Sequence, residues 1–246
     1  DTAVDLSHPE LEGAELSVAD VTGSDTPADP HGTSIVGILA ARAKLTGVAP
    51  ESDILAIAAF AKGTEGEPVG DSWTILEATN VAYEARADIL NLSFAGPADP
   101  LLERAMRGAR RLDILTVAAA GNAGPQAEPL YPAAYDPVIA VTATDAQDMI
   151  YSSANRGDYI DMSAPGVGLV VLGDASGFRT SSGTSMAAAH VSGIAALFLA
   201  ANPGADLAEV LARLEASASD LGAPGKDGVF GAGLVSAAGT IGGLMN

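Results

Sequence analysis

Three stretches of this chain, Asp53 to Phe60, Asp88 to Phe94 and Asp113 to Ala120, each open on Asp-Ile-Leu and continue as a short apolar run. Runs of that length suit strands covered on both faces, as in a parallel sheet. Between them lie Ser72 to Arg86 and Pro100 to Arg111. There apolar residues (Trp73, Ile75, Leu76, Val81 and Ala82; Leu101, Leu102, Ala105 and Met106) recur at helical spacing. Strand, helix, strand, helix, strand requires crossover connections, so the pattern predicts an α/β fold: a mostly parallel central sheet flanked by helices in three layers. A helix over Ser34 to Ala43 is expected before this block and strands over Pro137 to Ala143, Tyr159 to Met162 and Leu169 to Leu172 after it. Two further helices follow, Ser185 to Ala201 and Asp206 to Ala218. No stretch of linker composition divides residues 1–246, which read as one domain.

Charge and composition remove whole classes of function. Twelve Lys and Arg against 31 Asp and Glu leave a net charge of −19. Such a field repels phosphate backbones and anionic lipid, which argues against nucleic-acid and membrane-surface partners. The chain has no cysteine, so disulfides, thiolate-bound zinc and thiol nucleophiles are excluded. The longest apolar run, Met186 to Ala201, contains His190, Ser192 and Gly193 and falls short of a membrane span of about 20 residues. It reads as a buried helix and no membrane insertion is expected. No basic and apolar leader follows Asp1, so an export signal is expected to have been removed or never present.

Chemistry narrows to a few residues. Ser185 stands at the start of the long apolar helix, where orphan N–H groups can stabilise an oxyanion; taken alone, a serine there reads first as an N-cap. Of the three histidines, His31 precedes a helix and can project into a cleft as a general base, although a lone histidine is more often structural. His190 lies within the apolar helix on another face than Ser185 and reads as a core residue. Asn122 ends the run Val117-Ala118-Ala119-Ala120-Gly121; its amide can donate to a tetrahedral oxyanion, although taken alone it reads first as ordinary turn chemistry.

The combination is more informative than its parts. Asp1-Thr2-Ala3-Val4-Asp5 with His8-Pro9-Glu10-Leu11, then His31-Gly32-Thr33, Ala119-Ala120-Gly121-Asn122 and Gly183-Thr184-Ser185-Met186-Ala187 occur in that order. With Gly47-Val48-Ala49-Pro50 and Ser163-Ala164-Pro165-Gly166, this sequence resembles the subtilisin-like serine peptidases from Asp1 to about Ala238. The resemblance implies an endopeptidase working through an acyl-enzyme. Ser185 would be its nucleophile, His31 the base and then the acid, Asp1 the carboxylate that orients His31, and Asn122 the oxyanion donor. It also implies a peptide or protein substrate held between two walls, Ser93-Phe94-Ala95-Gly96 and Ala118-Ala119-Ala120-Gly121. The methyl of Ala95 would favour small or medium unbranched side chains at the cleavage site. A secreted or cell-envelope location follows from the same resemblance.

The likeness breaks at the first residue. In that family the catalytic Asp ends a central strand, and nothing precedes Asp1, so the first central strand is missing and a truncated or processed chain is expected. An N-terminal segment or propeptide would have to supply that strand. Its α-amino group would lie close to the carboxylate that His31 needs. Asp5 is a fallback orienter. Two other activities fit the same motifs: a catalytically impaired pseudoenzyme that binds peptides, and a ligase or cyclase that hands the acyl group to an amine. No cofactor is required. A structural calcium ion is compatible with the 31 acidic residues, but no ligand set emerges and no metal-binding residue is assigned.

Overall fold

The computed structural model describes residues 1–23 and 26–242. After a single 3₁₀ turn at Pro9–Leu11, the order is β1 (Leu16–Asp20), α1 (Pro30–Ala40), β2 (Ile54–Ala58), β3 (Ala61–Lys62) and β4 (Pro68–Val69). Then come α2 (Ser72–Glu84), β5 (Ile89–Leu92), α3 (Pro100–Arg111), β6 (Leu115–Ala119), β7 (Ile139–Thr144) and β8 (Met162–Pro165). The chain continues through β9 (Leu169–Leu172), β10 (Phe178–Ser181), α4 (Thr184–Ala201), α5 (Leu207–Ser217) and α6 (Ala237–Ile241).

The expected three layers are present. β5, β6, β7 and β8 form a parallel sheet in chain order. Its strands bury alternate residues on opposite faces. Leu115, Val117, Ala119, Val141 and Met162 pack with Ala187, Val191, Ile194 and Phe198 of α4 and with Val210 and Leu214 of α5. Leu90, Leu92, Ala118 and Ala140 pack the other way, against Leu102, Met106 and Ala109 of α3 and Ala82 of α2. β6 and β7 are buried at every position, as central parallel strands must be.

β1 and β2 form a separate parallel pair, from Leu16 opposite Ile54 to Asp20 opposite Ala58. β2 and β5 are not hydrogen-bonded to each other, and the sheet is interrupted between them. The interruption shows in burial: Ile54, Leu55, Ala56 and Ile57 of β2 are only half-buried despite their apolar character.

Helix starts follow the capping residues. Asp29 caps α1 by accepting from the His31 N–H at 2.8 Å, with Pro30 in the first turn. The helix therefore begins four residues ahead of the apolar periodicity and takes His31 into its first turn. Asp71 and Asp206 head capping boxes with Thr74 and Glu209. α4 differs, because its N-cap is Gly183 and no side chain caps it. The Ser185 hydroxyl does not cap the helix but donates to Ser93 O.

Candidate active site

Residues Asp1 and Thr2 lie beside the exit of β2. The Asp1 α-amino group donates to Ile57 O at 3.1 Å, and the Ala59 N–H donates to Asp1 O at 2.8 Å. Thr2 continues as a parallel bridge to Phe60. The start of α1 packs onto this segment so closely that a Cβ on Gly32 would stand 2.3 Å from Thr2 O. Glycine at position 32 is therefore a packing requirement. The Gly32 N–H donates to Thr2 Oγ1 at 2.8 Å, locking the two segments together.

That lock brings Asp1 to His31. His31 Nδ1–H donates to Asp1 Oδ1 at 2.7 Å, and the Thr2 N–H donates to the same oxygen at 2.6 Å. A carboxylate on Nδ1 fixes the tautomer in which Nε2 carries the lone pair, the form a general base needs. The other carboxylate oxygen, Oδ2, is buried without a hydrogen-bond partner among the described residues. Burial lowers the His31 pKa to about 4, aided by the positive charge of the Asp1 α-amino group. Burial lowers that amino group in turn to about 5. Asp5 accepts from the Ser7 N–H and hydroxyl instead, so of the two carboxylates it is Asp1 that meets the imidazole.

α1 and α4 pack side by side. Ile35 clusters with Met186 and Ala189, and Leu39 reaches Gly193 one turn later. The two helices thus run in the same direction, and one turn back toward their starts stand His31 and Ser185. No hydrogen bond joins these two side chains. The Ser185 hydroxyl donates to Ser93 O at 3.0 Å, and the Ser93 hydroxyl donates to Ser185 O at 3.1 Å. Behind Ser93 runs a polar chain: Asn91 Nδ2 donates to Ser93 Oγ at 2.9 Å, and the Ser192 hydroxyl donates to Asn91 Oδ1 at 2.9 Å.

Asn122 is held by its oxygen. The Thr184 N–H and hydroxyl both donate to Asn122 Oδ1, at 3.0 and 3.1 Å. Two donors on Oδ1 leave the amide Nδ2 as the free end, beside Gly183 at the start of α4. Gly121 turns the chain here with φ +106°, and a Cβ would meet Leu130 at 2.7 Å. Asn155, fully buried, accepts from the Ala123 N–H and donates to Glu128 O, which fixes the following loop.

The remaining site residues fall around this centre. Ala119, Ala120 and Gly121 are buried at the end of β6. Phe94 is half-buried against Phe60, with ring centroids 5.1 Å apart, and Ala95 is exposed. Gly96 pairs with Tyr131 through both backbone groups. Ser93 is buried and engaged with Ser185. His190 donates from Nδ1 to Met186 O at 2.9 Å, half-buried within α4. His8 uses both ring nitrogens, accepting from the Glu10 N–H and donating to Gly177 O. The positioning roles of Thr2, Thr184, Asn91 and Ser192 were not legible in the sequence. Only the adjacency of Thr2 to Asp1 and of Thr184 to Ser185 hinted at the first two.

Fold and site together define an α/β protein with a serine and a histidine at the starts of two helices that run in the same direction. The chain belongs to the subtilase family, whose model matches residues 1–233. It is similar to the thermophilic serine proteinase of Bacillus sp. (strain AK1), 36% identical over 92% of this chain and 56% of that protein. It spans only about half of that relative's length. Thermitase of Thermoactinomyces vulgaris is 34% identical over 92% of this chain and 81% of its own length. Among solved structures, the prenylagaramide maturation protease PagA superposes with a TM-score of 0.86 at 27% identity, covering 100% of this chain and 92% of that one.

Proposed function

We propose that this chain is a serine endopeptidase that hydrolyses peptide bonds through an acyl-enzyme on Ser185. The observation that carries the reading is the Asp1–His31 hydrogen bond of 2.7 Å at the start of α1, beside the start of α4 where Ser185 stands. The Ser185 hydroxyl turns from Ser93 O to His31 Nε2, gives up its proton there and attacks the substrate carbonyl. Asp1 stabilises the imidazolium that forms. Asn122 Nδ2 and the Ser185 N–H receive the developing oxyanion, in a position set before the reaction begins by Thr184. His31 then protonates the leaving amine, and water releases the acyl group by the same steps.

The segments 93–96 and 118–121 form the walls of the substrate cleft in this reading, with small or medium unbranched side chains preferred. Neither a cofactor nor a metal ion takes part. Export to the cell exterior or envelope is the proposed location, consistent with the net charge of −19. Product mass tests the chemistry: hydrolysis of a peptide adds one water, whereas transfer to an amine adds none. Hydrolysis products that vanish in Ser185→Ala support the endopeptidase. Water-free products would replace it with the ligase, and binding without turnover would replace it with the peptide-binding pseudoenzyme.

A further inference from the structure

α2 and α3 lie side by side on one face of the sheet, and α4, which carries Ser185, covers the other. Where the two helices begin, the Ser72 hydroxyl donates to Asp99 Oδ2. Further along, the Tyr83 hydroxyl donates to Ala105 O and stands 3.6 Å from where a Cβ on Gly108 would lie. The helices therefore run in the same direction, with residue 72 level with residue 99.

Their outward stripes repeat one spacing with opposite charge. On α2 the exposed residues Trp73, Glu77, Asn80 and Glu84 recur at intervals of four, three and four, which keeps them within about 60° of one another round the helix. On α3 the exposed residues Pro100, Arg104, Arg107 and Arg111 recur at the same intervals. The offset set by residues 72 and 99 puts Glu77 level with Arg104 and Glu84 level with Arg111. Among the described residues no ion pair joins the two stripes. Arg107 pairs with Glu103, and Glu84 accepts from Asn80 Nδ2, each within its own helix. At the starting end, Trp73, the chain's single tryptophan, is 71% exposed and Leu101 is 57% exposed. Large uncovered apolar side chains beside arginines are what a docking face presents.

A partner of one charge sign would satisfy one stripe and be repelled by the other. A surface that carries both stripes, at the same spacing and the same level, is a second copy of this one. A two-fold axis parallel to the helices and midway between them lays α2 of each copy along α3 of the other, in the same direction. Glu77 then meets the partner's Arg104, Glu84 meets the partner's Arg111, and Trp73 settles on the partner's Pro100 and Leu101, each contact made twice.

We propose that the outer face of α2 and α3 is a self-complementary docking surface for a second copy of this chain. The helices have 13 and 12 residues, so they are about 18–20 Å long, and two abreast cover roughly 400 Å² per copy. That lies at the low end of specific interfaces, and the dimer is a transient one. Exposed ion pairs contribute little individually, so the charges set the register while the Trp73 contact carries most of the affinity.

The test uses the full chain carrying Ser185→Ala, which prevents self-digestion, in sedimentation equilibrium up to about 500 µM. Monomer and dimer with a Kd on the order of 10–100 µM are expected, and the Trp73 emission moves to the blue as the dimer forms. Reversing one stripe alone, by Glu77→Arg with Glu84→Arg or by Arg104→Glu with Arg111→Glu, puts like charges in register and weakens association by about tenfold or more. Reversing both stripes in one chain leaves the net charge unchanged and restores the dimer, but that chain does not pair with the parent. Trp73→Ala weakens association by about tenfold or more. The charge and tryptophan variants are independent, so loss of fold in one, read from Tm, leaves the other to decide. A chain that stays monomeric throughout overturns the proposal, as does a dimer indifferent to either single reversal or not restored by the double one. Binding of hexaglutamate without self-association also overturns it, and assigns α3 to an acidic partner instead.

Discussion

Gly32→Ala separates a site built by backbone contact from a generic packing position. The added Cβ would stand 2.3 Å from Thr2 O, 2.9 Å from Thr2 Oγ1 and 3.0 Å from the Thr2 carbonyl carbon. Backbone does not swing aside as a side-chain tip does, so residues 1–2 must retreat by about an ångström to restore ordinary contact. The Asp1–His31 hydrogen bond, now 2.7 Å, does not survive that shift. Misplacement on this scale costs on the order of 10²-fold in kcat, and complete loss of the orienting carboxylate about 10⁴-fold. Overpacking adds a stability loss of about 1–3 kcal/mol, or roughly 2–12 °C in Tm for a chain of this size. Gly37→Ala is the control: its Cβ would press on the Leu172 side chain at 2.4 Å, in an apolar cluster away from the site. Both variants should melt earlier, and only Gly32→Ala should lose kcat out of proportion, measured on a peptide substrate with active-site titration. Equal kcat in the two variants at matched stability would refute the reasoning.

Asn122→Ala should lower kcat by about 10²–10³-fold at nearly unchanged KM, the size known for removing one such donor in a subtilisin. Thr184→Val should give a smaller loss of the same kind, because it frees the Asn122 amide to turn. Steady-state kinetics checks both. Glu10 is buried and accepts from the Lys44 and Leu45 N–H groups at 3.0 and 2.8 Å; burial opposes its charge, but these bonds and His8 outweigh it and lower its pKa. Glu10→Ala should cost about 2–3 kcal/mol, read as a Tm drop of roughly 4–12 °C with kcat unchanged. For His31, at about 4 in the folded protein, kcat/KM should stay level from neutral pH and fall only as the imidazole protonates near 4. Because its ordinary value is 6.5, the unfolded chain binds that proton first, so His31's contribution to stability is full above 6.5 and lost as pH falls toward 4. A chelator should leave Tm unchanged.

The parallel sheet was legible because its strands are written as short, mainly apolar runs: β6 and β7 are buried throughout, and only the threonines Thr116, Thr142 and Thr144 stand among their apolar residues. β1 and β10 escaped for the opposite reason. Ser17 and Val18 are exposed in β1, and three of the four residues of β10 are exposed, so neither burial nor periodicity marked them. The start of α1 was written in Asp29-Pro30 and not in its hydrophobic spacing. At the site, the residue types that do chemistry could be picked out in order, but their supports could not. Thr2, Thr184, Asn91 and Ser192 act through hydrogen bonds to residues far along the chain, and single polar residues carry no record of such partners.

In the proposed mechanism His31 activates Ser185. Intact-mass measurement of labelling by a fluorophosphonate, with the modified residue mapped by peptide sequencing, tests it directly. One label per chain on Ser185, absent in Ser185→Ala and slowed by about 10³-fold or more in a folded His31→Ala, is the expected result. Labelling of Ser185 at the same rate without His31, or a label on another residue, would contradict it.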